Sequence, residues 1–235
     1  MFDVIAFDAD DTLWHNEPHY RDMQLRVSEM LARYHEPAWV MQRLYETEIR
    51  NLGHYGYGAK GFTLSLIETA IELTEGRISG GEIARIIALS KAMLSAPIEL
   101  LDGVRATIEQ LAGQHELMVI TKGDLFDQEA KLARSGLGDY FRHIEIVPDK
   151  TTAVYAAITA RHQFNPQRFL MVGNSLKSDV LPVLALGGHA VYIPYQTTWE
   201  HERVPEAELA DKHFHELAHI GALPAWLNEW QTTCQ

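Results

Sequence analysis

The stretch Val4-Ile5-Ala6-Phe7-Asp8-Ala9-Asp10-Asp11-Thr12 sets an unbroken apolar run directly against three carboxylates. Consecutive apolar residues without alternation fit a strand buried on both faces, as in a parallel sheet covered by helices. Acidic side chains at the end of such a strand repel one another and lose hydration unless a cation or a reaction holds them there. A divalent metal supplies that compensation, and the carboxyl end of a strand is where open α/β sheets bind ligands. Asp8 and Asp10 are therefore the first candidates for chemistry.

Working outward, residues 3–7, 117–120, 143–147, 169–172 and 190–193 form five short runs rich in Val, Ile, Leu and Phe that read as parallel strands. Segments 103–112, 127–135, 152–162 and 179–186 lie between or after them, with apolar residues at helical spacing and Gly or Pro at their ends. Alternation of strand and helix predicts an α/β fold with a doubly wound, Rossmann-like parallel sheet.

The first strand breaks this rhythm, because about eighty residues without a convincing strand follow it. Residues 20–34, 38–51, 62–74 and 81–94 are helical in period, with Gly53-His-Tyr-Gly-Tyr-Gly-Ala-Lys60 between the second and third. This reads as an α-helical cap domain, residues 15–94, inserted into a core of residues 1–14 and 95–235, with connections near Trp14 and Pro97. No internal repeat or low-complexity segment is present.

Further chemistry-bearing residues follow the later strands. Thr121 comes after Met118-Val119-Ile120, Lys150 comes a short loop after Glu145-Ile146-Val147, and Gly173-Asn174-Ser175-Leu176-Lys177-Ser178-Asp179 comes after 169–172. Together with Asp8-x-Asp10-x-Thr12, in this order and strand context, the chain resembles the haloacid dehalogenase-like superfamily across its whole core.

That resemblance implies a role for each residue. Asp8 would be a covalent nucleophile on phosphorus, and Asp10 the general acid and then base. Thr121 would hold a phosphate oxygen, and Lys150 would neutralise nucleophile and phosphate. Mg2+ would be held by Asp8, the backbone carbonyl of Asp10, and Asp179 with Asn174. Asn174 stands where many members carry Asp, so the metal shell leans on Asp179, although helix capping competes for that carboxylate. Lys122 stands where the family often has Asn; substrate phosphate, Asp124 and solvent are its open destinations. Asp11, at the motif's variable position, is read as a capping or surface residue.

Cap loops of the family commonly choose the substrate, which makes Tyr55, Tyr57 and Lys60 candidates, against the alternative of a connector packed on the cap. His15, His201 and Glu202 carry weaker claims. The expected activity is hydrolysis of a small-molecule phosphate ester. A phosphomutase or a dehalogenase of the same superfamily, or a non-catalytic small-phosphate binder, is the alternative. The second Asp of the first motif favours an oxygen leaving group, because a halide needs no proton.

Composition narrows the partners. Thirty-two acidic against twenty basic residues give a formal charge of -12, which repels a phosphate backbone and argues against nucleic acid polymers. No apolar stretch reaches the roughly 18 residues of a membrane span, so no membrane partner is expected. The lone Cys234 forms no intrachain disulfide, and a cytoplasmic location follows. Oligomeric state is not legible; Tyr140, Phe141, Trp226 and Trp230 read as core or as a C-terminal helix.

Overall fold

A computed structural model describes residues 2–233 of the chain, and Cys234 lies outside them. The described residues divide into two compact units, one of residues 2–15, 98–122 and 128–233, the other of residues 16–97 and 123–127.

The first unit is built on a six-stranded sheet: β1 (Val4–Phe7), β2 (Glu116–Lys122), β3 (His143–Val147), β4 (Phe169–Gly173), β5 (His189–Tyr192) and β6 (His215–Glu216). Their order is β3-β2-β1-β4-β5-β6 and every pairing is parallel. The sixth strand was not expected; its two exposed residues leave no apolar pattern to read.

Successive strand residues point to opposite faces, and the core divides by this parity. Ile5 and Phe7 of β1 join Leu117, Val119, Leu170 and Val172 on one face. There they meet α5 (Val104–Ala112) and α9 (Leu223–Thr233) through Val104, Ile108, Leu111, Leu223 and Leu227. Val4 and Ala6 join Met118, Ile120, Phe169 and Met171 on the other face, against Tyr155 and Ile158 of α7 (Thr152–His162) and Val183 of α8 (Leu181–Ala185).

β1 is thus apolar throughout because helices cover both its faces, each fully buried large side chain contributing about 1.5–3 kcal/mol. Phe141 packs edge-on against Phe7, while Trp226 and Trp230 stack on Phe2, which is the core and C-terminal-helix reading of these aromatics. The sheet order reverses direction around β1, and the carboxyl ends of β1, β2 and β4 come together there.

The second unit holds four helices, α1 (Glu17–Leu31), α2 (Pro37–Tyr55), α3 (Ala59–Leu73) and α4 (Gly80–Leu94). Pro18 and Pro37 sit in the first turns of α1 and α2, where the missing N–H costs nothing. Ser79 and Glu82 form a reciprocal capping box at the start of α4. Met23, Val27, Leu44, Phe62, Leu66, Ala70 and Ile86 make its core.

The segment 53–60, read as a Gly-rich loop, is mostly helical. α2 runs on through Tyr55 and α3 starts at Ala59, so only residues 56–58 link them. Gly53 is tolerated inside α2, whereas Gly56 (φ 68°) and Gly58 (φ 126°) take the conformations that only glycine adopts without strain. Among the described residues no helix is long and apolar enough to cross a membrane.

Candidate active site

β1 delivers Asp8 at its tip, where the Asp8 N–H donates to the carbonyl of Val172 in β4. Lys150, in the loop before α7, is buried and places Nζ 2.5 Å from Asp8 Oδ1 and 2.7 Å from Asp179 Oδ1. Thr12 Oγ1 donates to Asp8 Oδ2 at 3.0 Å and lies 3.3 Å from Asn174 Oδ1. The first, third and fourth sequence motifs are thereby brought into one buried cluster of oxygens around a single ammonium.

Its electrostatics follow from that count. Burial pushes the Asp8 carboxyl up to about 7; Lys150 opposes this, and the neighbouring Asp179 adds to it. For Lys150, burial works against the charged form, yet Asp179 and Asp8 outweigh it and hold the ammonium protonated. One ammonium shared by two buried carboxylates leaves the cluster short of positive charge.

Asp179 sits in a π-helical turn, 176–180, that follows β4. Such turns collect at functional sites. Its Oδ2 accepts the Ser175 N–H at 3.0 Å, so it is not the helix cap; Ser175 is, its side chain accepting from the Ser178 N–H. Gly173 is required beneath it, because any Cβ there would collide with the Asp179 carboxylate.

Asp10 turns away from this cluster. Its Oδ1 accepts from Trp14 Nε1 at 2.7 Å and Lys131 Nζ at 3.0 Å, and its Oδ2 from Gln128 Nε2 at 2.8 Å and Lys131 Nζ at 3.1 Å. Gln128 and Lys131 lie three residues apart in α6 (Leu125–Ser135). Asp11, expected at the surface or as a cap, is buried, with φ 62°, and donates its N–H to the Trp14 carbonyl at 2.7 Å. The left-handed conformation, which Asp tolerates, is what closes this turn.

Thr121 is buried within β2 itself. Lys122 Nζ reaches Glu202 Oε1 at 2.7 Å and Ser178 Oγ at 2.8 Å. Glu202, given little weight in the sequence, also accepts from Ser175 Oγ and Ser178 Oγ. Burial would raise its carboxyl, but Lys122 and the two serine hydroxyls outweigh it and hold it down to about 2. His15 Nδ1 meets Tyr195 Oη at 2.7 Å.

In the four-helix unit, Tyr55 ends α2 half-exposed, Tyr57 lies in the link, and Lys60 opens α3. Lys60 Nζ lies 3.4 Å from Asp124 Oδ1, and its N–H donates to Oδ2 of the same residue at 3.2 Å. Asp124, one of the destinations open to Lys122, is thus engaged by Lys60.

Comparison with known proteins now bears on this arrangement. A family model for haloacid dehalogenase-like hydrolase matches residues 2–187. The chain belongs to this family. A haloacid dehalogenase-like family hydrolase from Xanthomonas campestris is 40% identical, covering 99% of this chain and 93% of its own, with a TM-score of 0.87. A 2-haloacid dehalogenase from Pseudomonas syringae is 21% identical, with 98% and 100% covered and a TM-score of 0.63. A predicted phosphoglycolate phosphatase from Haemophilus somnus is 19% identical, with 96% and 98% covered and a TM-score of 0.64. Nothing among the curated proteins matches.

As a haloacid dehalogenase-like hydrolase the chain is an enzyme of the fold expected from its sequence. The two more distant structures share that fold while being named for different chemistries, so this chain's own residues must decide between them.

Proposed function

We propose that this hydrolase is a magnesium-dependent phosphatase acting on small organic phosphate monoesters through an aspartyl-phosphate on Asp8. The observation that carries the reading is the Asp10 carboxylate, two residues beyond Asp8 and held by Trp14, Gln128 and Lys131. A halide leaves without a proton, whereas an alkoxide needs one, and Asp10 is the group that would give it.

In this reading an Asp8 carboxylate oxygen attacks phosphorus, the ester P–O bond breaks, and the leaving oxygen takes a proton from Asp10. Water then attacks the phosphorus of the aspartyl-phosphate, passing a proton to Asp10, and Asp8 and inorganic phosphate are released. Lys150 neutralises Asp8 during the approach of the anionic ester, and Thr121, with Lys122, would meet the phosphate oxygens.

The residues fit magnesium. Asp8, Asp179, the Asn174 amide oxygen and the Asp10 backbone carbonyl are hard oxygen donors. Among the described residues no three His, Cys, Asp or Glu side chains make a metal site by themselves, so Asn174 and the carbonyl would complete it. The bound ion would screen the two anions from each other and favour the ionised nucleophile. Tyr55, Tyr57 and Lys60 would select the ester, in a cytoplasmic setting and without nucleic acid.

A second reading, dehalogenation, is favoured by one observation, the neutral Asn174 where an acidic metal ligand is common. Hydrolysis of p-nitrophenyl phosphate with and without magnesium, by the native enzyme and Asp8→Asn, tests the choice. Magnesium-dependent turnover lost in the variant supports the phosphatase; chloride release from 2-chloropropionate without phosphate ester turnover would replace it.

A further inference from the structure

Asp10 is the most heavily bonded carboxylate of the site, and two of its three side-chain partners come from a helix that no sequence motif includes. A carboxylate offers about four lone-pair positions. Here four donor contacts meet them: Trp14 and Lys131 on Oδ1, Gln128 and Lys131 on Oδ2. With both oxygens held, the side chain cannot swing without breaking a charge-assisted bond.

Gln128 makes the purpose of this arrangement legible. One amide N–H goes to Asp10 and the same nitrogen donates to the Lys122 carbonyl at 3.0 Å, which ties α6 to the end of β2. Its Oε1 is buried without a partner among the described residues. A glutamine kept only to fill space would be replaceable by an apolar residue of similar volume at no loss of hydrogen bonding. Both bonds are made by its donor end, which is the end that matters. Lys131, one helical turn further, presents its ammonium to both oxygens from the same face of α6.

We infer that Lys131 and Gln128 are positioning residues that fix the orientation from which Asp10 exchanges a proton with the leaving group. The inference rests on the phosphatase reading for its kinetic consequence, but the bonding itself can be tested without turnover. Proton transfer requires the heavy atoms to come within hydrogen-bond reach, and misplacement by about 1 Å costs on the order of a hundredfold in rate. Loss of that orientation is therefore felt by esters whose leaving group needs a proton and hardly by those whose leaving group does not.

Two measurements on Lys131→Met and Lys131→Arg, with Gln128→Leu repeating them on the second partner, decide the matter. The first is the Trp14 indole N–H resonance, one of five tryptophan signals, assigned through Trp14→Phe. It reports Asp10 directly, because this N–H donates to Oδ1. The expected result is a displaced resonance in Lys131→Met that returns toward its native position in Lys131→Arg. The second is kcat over p-nitrophenyl phosphate, phenyl phosphate and glycerol 3-phosphate. Lys131→Met is expected to lose about threefold on the first and about a hundredfold on the last, within the general acid range, with KM little changed.

An unmoved Trp14 resonance in folded Lys131→Met and Gln128→Leu overturns the inference. So does an equal loss on all three esters, which is the mark of a merely structural residue. If the native enzyme turns over none of the esters, the phosphatase reading fails, and the indole resonance alone decides whether Lys131 and Gln128 hold Asp10.

Discussion

The first unit buries Asp8 and Asp179 against Lys150, and holds Asp10 with Lys131; the helical unit buries Glu48, which Gln24 approaches at 3.5 Å, and half-buries Glu17. Burial is the leading influence on Asp8, Glu17 and Glu48, and it pushes each up to about 7. The compensation differs. Around Asp8 a buried ammonium is locked between two carboxylates and opposes the effect of burial, at the cost of desolvating a cation as well. For Glu48, burial is opposed by a hydrogen bond from Gln24 and reinforced by Glu17, so a proton is the nearest remedy. A buried ammonium set against the carboxylates separates this cluster from Glu48, which meets an amide in its place.

Asp8→Asn probes that contrast most severely. Removing the proposed nucleophile is expected to cut turnover by on the order of 10⁴ or more while leaving the fold intact, as read by steady-state assay and circular dichroism. Glu48→Gln, by contrast, is expected to leave kcat within about twofold.

Lys150→Met is next. It strands two buried carboxylates, and breaking such a pair costs about 3–5 kcal/mol, measured by urea denaturation near neutral pH. A loss under 1 kcal/mol would mean that the buried acids do not need the ammonium, erasing the distinction.

For Glu48 the sign follows from linkage. Its folded value of about 7 lies above the ordinary 4.5, so the folded state holds an extra proton between them and stability falls as pH rises through that window. Glu48→Gln is expected to gain roughly 1–3 kcal/mol over the native chain at pH 8 and almost nothing at pH 4. Thermal or chemical melts at the two pH values check it. Asn174→Asp has the smallest expected effect, about tenfold tighter magnesium binding by titration calorimetry.

Much of this was legible in the sequence because its causes are local. The run from Val4 to Phe7 announces a doubly buried strand, and the acids beyond it announce a site. Helical period located all four helices of the second unit, though Tyr55 and Lys60 were read into a loop that Gly53 did not in fact open. What stayed hidden depends on tertiary contact. Gln128 and Lys131 lie 118 and 121 positions from the carboxylate they hold, and Lys122 lies 80 from Glu202. Their one trace was a polar pair three apart on the helix after Thr121, a pattern that solvated helix faces share.

The proposed phosphatase depends on Asp8 as its covalent nucleophile. Rapid quench of the enzyme turning over a ³²P-labelled ester with magnesium, followed by borohydride reduction and peptide mapping, tests it most directly. Homoserine at position 8, absent when ester is withheld, is the predicted result. Sustained phosphate release with position 8 unreduced, or label trapped on another residue, would contradict it.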